Sequence, residues 1–132
     1  MRFNKEQLPE DVVYNNDIEV KHTKTVATAG QIISALRILT TDGLYADKDI
    51  LAHSGKVAGL SISSGAIGEP ITIITSGEFE DNSWNWTVGN PVYLSNDGYL
   101  TQDTPTTGFI MVVGYPITDK KLLIRLGISI VL

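Results

Sequence analysis

An internal repeat runs through this sequence, with the second copy 55 residues after the first. The stretch LTTDGLYAD at 39–47 matches LSNDGYLTQ at 94–102, and VAGLSI matches the later VVGYPI. Each copy has the pattern of a hairpin, a strand containing a glycine, and a long strand. The repeat predicts two similar β units, at about 36–77 and 91–127, that pack around one core. The matched positions are Leu39 with Leu94, Asp42 with Asp97, Gly43 with Gly98, and Gly59 with Gly114.

The four matched glycines are of two kinds. Gly43 and Gly98 each follow an aspartate, and this pair of residues favours a tight turn with positive φ. Gly59 and Gly114 lie inside predicted strands, where a glycine marks a bulge or a sharp bend. Matched bends predict that the two β units curl into a small barrel.

Short apolar segments with the character of β-strands make up most of the chain. They end at Gly, Pro, Asn or Asp, which favours an all-β sandwich or barrel. DIEVKHT, SWNWTV and the hairpin PVYLSNDGYLTQ belong to this set. The last segment alternates from Leu122 to Ile130 and predicts one central, half-buried strand. QIISALRILT, at 31–40, combines helical spacing with many β-branched residues, and we interpret it as a strand.

Length and composition indicate one domain preceded by a short arm. The chain has 132 residues, 42% of them hydrophobic, which is enough for one core. Residues 1–16 are polar and lack periodicity, so we expect an extended N-terminal arm and then a β domain at 17–132. A net charge of −5 disfavours binding to nucleic acid, and no apolar run reaches the ~20 residues that span a membrane. The absence of cysteine excludes disulfides and thiolate metal sites.

No residue pattern indicates catalysis, a cofactor or a metal. His22 and His53 lie in different segments, and neither has a second histidine at ligand spacing. The carboxylates of Asp47 and Asp49, and those in GEFED at 77–81, lack a calcium-loop pattern, and we interpret them as solvated loops. SISSGAIG has no phosphate-loop lysine, and no nucleophile elbow surrounds a serine. We therefore expect a protein that is not an enzyme and holds no cofactor or metal.

Four aromatic residues are the candidates for an interface. Trp84 and Trp86 alternate, so on a strand both would project from one face. They would then lie in the core, at a subunit interface, where tryptophan is enriched, or under a carbohydrate. We favour core or interface over sugar binding. Tyr93 and Tyr99 flank the second turn and complete the set.

Much of the chain resembles a β domain of tailed-bacteriophage virions, which occurs in capsid decoration (cement) proteins and in some head- or tail-fibre proteins. Its elements here are a strand at 89–94 (GNPVYL), a turn at 97–101 (DGYLT) and a strand at 113–117 (VGYPI). VAGLSI and ITIITSGEFE are similar to the first half of that domain. The resemblance covers roughly residues 30–132.

The resemblance implies a structural function in the virion. Such domains are small β barrels or sandwiches that commonly assemble as trimers on the capsid surface and catalyse no reaction. The implied partners are the major capsid protein and further copies of the chain. The implied location is the capsid surface, after synthesis in the cytoplasm of the bacterial host. A decoration protein clamps neighbouring capsid subunits, and an arm such as 1–16 would extend that contact.

A receptor-binding module of a phage head or tail fibre is the alternative function. It predicts a host-surface glycan or protein as the ligand, with Trp84, Trp86, Tyr93 and Tyr99 as contacts. A fibre tip usually continues a longer fibre chain, whereas this sequence has only a short lead-in after Met1. This difference favours the decoration protein.

Overall fold

The computed structural model describes residues 21–132, and β-strands form nearly all of the regular structure there. The predicted arm at 1–16 and the alternation of Ile18 and Val20 lie outside the described residues. Two 3₁₀ turns, Leu51–His53 and Asn96–Gly98, accompany the strands. The all-β prediction is confirmed. The strands of the described range are β1 (His22–Thr28), β2 (Ile38–Thr40), β3 (Val57–Ser61), β4 (Pro70–Glu80), β5 (Val92–Leu94), β6 (Leu100–Thr101), β7 (Phe109–Ile110), β8 (Val112–Pro116), β9 (Lys121–Arg125) and β10 (Ile130–Val131).

The main sheet is antiparallel and nearly closes into a barrel, as predicted. Its strand order is β2-β3-β4-β9-β8-β5-β6, and β1 pairs with β4 outside this path. β7 and β10 form a separate two-stranded sheet. The turn Asn96–Gly98 reaches from β5 and β6 towards β2, because the N–H of Gly98 donates to the carbonyl of Ala46 at 2.6 Å. This contact bridges the gap between the two ends of the sheet.

The order of strands in the sheet follows the internal repeat. β2, β3 and β4 are neighbours on one side, and β5, β8 and β9 are neighbours on the other, so the two sets meet where β4 pairs with β9. The pairing of β2 with β3 shifts its register beside Gly59, and the pairing of β5 with β8 shifts beside Gly114. Both mid-strand glycines therefore lie at an irregularity of the ladder, where an extra residue sharpens the bend.

Close backbone contacts explain why these two strand positions have no side chain. A Cβ atom on Gly59 would lie 2.3 Å from a carbonyl oxygen of β4, and one on Gly114 would lie 2.6 Å from a carbonyl oxygen of β9. The turn glycines Gly43 and Gly98 are crowded by backbone oxygens as well, and their backbone angles add a second reason. Their φ angles, 75° at Gly43 and 73° at Gly98, lie in the left-handed region that glycine adopts readily.

Three predicted strands are shorter than expected or absent. Within 31–40 only β2 is a strand, because Leu36 has a φ of 66° and interrupts the extended backbone. The predicted final strand is divided, since β9 ends at Arg125 and β10 pairs with β7 instead. The segment between β4 and β5 consists of turns and irregular backbone, so Trp84 and Trp86 do not alternate on a strand.

Two hydrophobic clusters form the interior. The larger cluster contains side chains of both β units, such as Leu60 and Ile74 from the first and Val113 and Ile124 from the second. The smaller cluster contains Ala29, Ile33, Leu39, Ile71 and Ile73. β4 contributes to both clusters and is therefore covered on two faces. The two units therefore share the larger cluster.

Candidate functional site

The four aromatic interface candidates lie in different surroundings. Trp84 is only 8% exposed and belongs to the larger core cluster, while Trp86 is half-buried against that cluster. Their ring centroids are 5.6 Å apart. Tyr93 is half-buried on β5, and Tyr99, which follows the turn Asn96–Gly98, is 54% exposed. The two tryptophans are therefore in contact, and Trp84 lies in the hydrophobic core.

The tryptophans extend a row of aromatic rings that begins on β1. His22 lies 6.1 Å from Phe79 and Phe79 lies 6.0 Å from Trp84, both in edge-to-face arrangements. His22 Nδ1 also hydrogen-bonds to the carbonyl oxygen of Glu78 at 3.0 Å. The indole N–H of Trp86 is buried and has no hydrogen-bond partner in the described part of the chain. These packed rings stabilise the fold, and they offer no open aromatic platform at Trp84.

The most exposed apolar segment within residues 21–132 is the C-terminal end, where the alternation predicted a half-buried strand. Ile128 is 81% exposed, and Ile130, Val131 and Leu132 are each more than half exposed. The segment is nevertheless held in place. The N–H of Gly127 donates to a carbonyl of β8, and the N–H of Leu132 donates to Gly108, both at 2.9 Å. Isolated exposed apolar residues are common in proteins, but a run of them on ordered backbone indicates an interaction surface.

The exposed segment adjoins apolar side chains of β5, β7 and β8. A hollow of about 350 Å³ lies between them. A second hollow of about 410 Å³ is lined in part by Val57, Met111 and Leu126, and also by Gly127 and Ile128. Ile128 therefore lines both hollows. We call the surface around the first hollow the C-terminal face, and it consists of Tyr93, Ile110, Val112, Tyr115, Ile128 and Ile130.

A polar network joins three loops near the turn Asn96–Gly98. The side-chain amide of Asn96 donates to Asp47 Oδ1 at 2.8 Å and to Asp49 Oδ2 at 2.7 Å. The hydroxyl of Thr107 donates to the other oxygen of Asp49 at 2.8 Å, and the ammonium of Lys48 lies 3.1 Å from Asp49. Asp47 and Asp49 lie on a loop where Asp49 is exposed, as interpreted, and neighbouring groups fix both side chains.

The network lowers the pKa of both carboxyl groups. Hydrogen bonds from Asn96, then Thr107 and Lys48, lower the pKa of Asp49 from 3.8 to about 2. Burial by itself would raise the pKa of Asp47, but hydrogen bonds from the Asp49 and Asp97 N–H groups and from Asn96 outweigh it and lower the pKa. Every one of these donors favours the charged form. The arrangement is suited to holding loops together, because both carboxylates stay ionised at neutral pH.

Neither a metal-binding cluster nor a membrane-spanning helix is found among the described residues. Among residues 21–132, no group of three or more His, Asp or Glu side chains is placed to hold a metal ion. In the same range, no helix has the length and apolar character needed to cross a membrane. The C-terminal face presents exposed apolar side chains beside a hollow.

Comparison with known proteins identifies no relative: no protein family, no curated protein and no solved structure matches the chain. The resemblance to phage virion domains therefore stays a prediction from the motifs themselves. The proposed function is therefore inferred from the fold, the exposed surfaces and the motifs.

Proposed function

We propose that this chain is a structural protein of a tailed-bacteriophage virion, which decorates and stabilises the capsid as a trimer. The observation that carries the proposal is the exposed, ordered C-terminal face around Ile128. The order of the phage-like motifs supplies the virion context. The proposed function includes no catalytic step.

The C-terminal face supports self-association through the hydrophobic effect. Burying one large aliphatic side chain stabilises an interface by roughly 1.5–3 kcal/mol. Ile128 and Ile130 are largely exposed and line an open apolar hollow of about 350 Å³, so one surface of the chain presents several apolar side chains for contact. In a cyclic trimer, one part of this surface on each copy would meet a different part of it on the next copy around the axis. Such a contact would remove from water the most exposed isoleucine of the described residues.

Capsid stabilisation would follow from the same physics at a larger scale. A compact trimer that sits across a junction of the major capsid protein buries surface on several subunits at once. Separating those subunits would then also require breaking the contacts of the trimer, which raises the barrier to rupture of the shell. The net charge of −5 favours solubility of the chain before assembly.

The experiment is the solution mass of the purified protein, measured by size-exclusion chromatography with light scattering. One chain is 14.4 kDa, and we expect three times that mass. Ile128→Asp places a charge in the proposed contact and should give the mass of one chain. Ile67→Asp is the matched control, because Ile67 is also highly exposed but is not among the residues of the C-terminal face, and it should leave the trimer intact.

A sedimentation assay with expanded, undecorated capsids completes the test. The wild-type protein should sediment with the capsids, and Ile128→Asp should bind them more weakly, because it presents one copy at a time. A wild-type chain that is monomeric in solution and also stays in the supernatant would contradict the proposed function.

A further inference from the structure

The backbone around Arg37 is held in an unusual conformation. Leu36 precedes it with a φ of 66°, one of two positive values among the described non-glycine residues. The buried Ser61 fixes both residues: its carbonyl accepts the Leu36 N–H at 2.7 Å, its hydroxyl accepts the Arg37 N–H at 3.1 Å, and its own N–H donates to the Arg37 carbonyl at 2.7 Å. Strained backbone that hydrogen bonds hold in place is often found at functional sites. The side chain next to Leu36 is that of Arg37.

The guanidinium of Arg37 contacts two tyrosine rings. Its central carbon is 4.3 Å from the ring centroid of Tyr45 and 3.7 Å from that of Tyr99. Two of its N–H groups donate at 2.7 Å, one to the carbonyl of Asp97 and one to the hydroxyl of Tyr99. The ring of Tyr45 is fixed in turn, because its hydroxyl accepts the N–H of Ser34 at 2.8 Å. The side chain is therefore ordered before any ligand arrives.

Three donors of this guanidinium remain without an acceptor in the described part of the chain. A guanidinium has five N–H groups, and the contacts to Asp97 and Tyr99 use two. The ion pairs among the described residues are formed by Lys48, Lys56 and Lys121, and Arg37 takes part in none of them. All N–H groups of a guanidinium lie in its plane, so the remaining donors lie along its edge. An ordered edge of donors matches the two oxygens of a carboxylate.

A role in closing the barrel explains only part of this arrangement. Arg37 immediately precedes β2, and its contacts to Asp97 and Tyr99 cross the gap to the other end of the sheet. The gap is also bridged by the backbone bond from Gly98 to Ala46 at 2.6 Å. Bridging accounts for the two N–H groups that are bonded. It does not account for the unpaired donors on the edge.

We propose that Arg37 and Tyr99 form a binding site for an acidic sugar, whose carboxylate pairs with the edge of the guanidinium. A single guanidinium matches a single negative charge. A doubly charged phosphate is disfavoured, because Asp47 and Asp49 are ionised on the adjoining loop and Asp47 accepts the N–H of Asp97. Tyr99 is 54% exposed although it contacts Arg37, so part of its ring is accessible to the C–H groups of a pyranose ring. Tyr45 is a positioning residue.

The test is a titration of the full-length, isotope-labelled protein with D-glucuronate, followed through the Nε–H signal of Arg37 and the ring signals of Tyr99. We expect saturable shifts at both residues. D-Glucose has the same ring without the carboxylate, and acetate has the carboxylate without the ring, so each should bind at least tenfold more weakly. Arg37→Lys keeps the charge but loses the fork of donors, and it should weaken glucuronate binding at least tenfold. Arg125→Lys, on β9, is the matched control and should bind as the wild type does.

Three results would overturn the proposal, and all three come from the wild-type protein, so they do not depend on the folding of a variant. The first is the absence of a shift at Arg37 up to roughly 50 mM glucuronate, well above the millimolar range of weak binding. The second is equal binding of acetate, which would indicate a protein carboxylate as the natural partner. The third is tighter binding of inorganic phosphate. The trimer proposed above uses other residues, so each of these results leaves it untouched.

Discussion

Backbone crowding at single residues explains much of the shape of this barrel. Gly59 and Gly114 occupy equivalent places in the two β units, and each stands next to a carbonyl oxygen of the neighbouring strand. A side chain there would push two paired strands apart. Gly59 lies next to β4 and Gly114 lies next to β9, and these two strands pair with each other. A side chain at either glycine would therefore disturb the pairing of strands beside the contact between the two units.

Gly114→Val should therefore lower the free energy of unfolding by about 3 kcal/mol, because its Cβ would begin 2.6 Å from the backbone oxygen of Leu123. Gly55→Ala is the matched control, since a Cβ at Gly55 meets no atom within 4 Å, and it should change that free energy by less than about 0.5 kcal/mol. Urea denaturation followed by circular dichroism measures both. An unchanged midpoint for Gly114→Val would show that the strands can separate at that point without cost.

At the scale of elements, a charged side chain holds several of the loops between strands together. Asp49 belongs to the loop that precedes the 3₁₀ turn Leu51–His53, Asn96 belongs to the turn between β5 and β6, and Thr107 belongs to the loop before β7. One carboxylate thus joins three segments that are far apart in sequence. Its lowered pKa makes that junction sensitive to acid.

Asp49→Asn should flatten the acid dependence of stability. Because the pKa of Asp49 is about 2 in the folded chain and 3.8 ordinarily, its contribution is complete above about pH 4 and is lost as the pH falls towards 2. Melting temperatures measured from about pH 5 to pH 2 should therefore fall less steeply in the variant than in the wild type. Asp103→Asn, at an exposed aspartate outside the network, should keep the wild-type profile. Identical profiles for all three proteins would show that the junction does not contribute to stability.

Sequence patterns predicted the elements that depend on residues close to one another in the chain. The hairpin around Asn96–Gly98 forms where an Asn-Asp-Gly turn requires it, and its strands pair Tyr93 with Thr101 and Leu94 with Leu100. The last apolar segment is divided into β9 and β10 after Arg125. Alternation could not predict this division, because it shows that a segment is extended but not which strand it pairs with. β9 pairs with β4 and β8, whereas β10 pairs with β7, and only the folded chain decides between them.

The candidate site was predicted less well, for the same physical reason. The exposure of Ile128 depends on where the chain leaves the sheet, and the contact of Arg37 with Tyr99 joins residues that are 62 positions apart. Neither relation leaves a periodic signal in the sequence. A signal for the first was present in hindsight, because Gly127 interrupts an otherwise regular apolar segment and a glycine in a strand often marks a break.

The whole molecule behaves as one cooperative unit if its two halves depend on each other for burial. Leu60 and Ile38 from the first β unit share a cluster with Leu122 and Val113 from the second. Neither unit could bury these side chains alone, because each supplies only part of the cluster. The extensive pairing of β4 with β9 adds a hydrogen-bonded seam to the shared core.

Leu60→Ala should consequently destabilise both halves together. Leu60 is fully buried, and its truncation should lower the free energy of unfolding by about 3 kcal/mol. Trp84 packs in the same cluster from the segment between the units, so its fluorescence and the far-ultraviolet circular dichroism should shift to one lower midpoint in denaturant. Val88→Ala, at an exposed side chain, should leave both signals at the wild-type midpoint. A contradicting result would be a circular dichroism curve with two transitions, of which the fluorescence of Trp84 follows only the later one. The first β unit would then unfold by itself. In that case the two copies of the repeat would be two domains with separate stabilities.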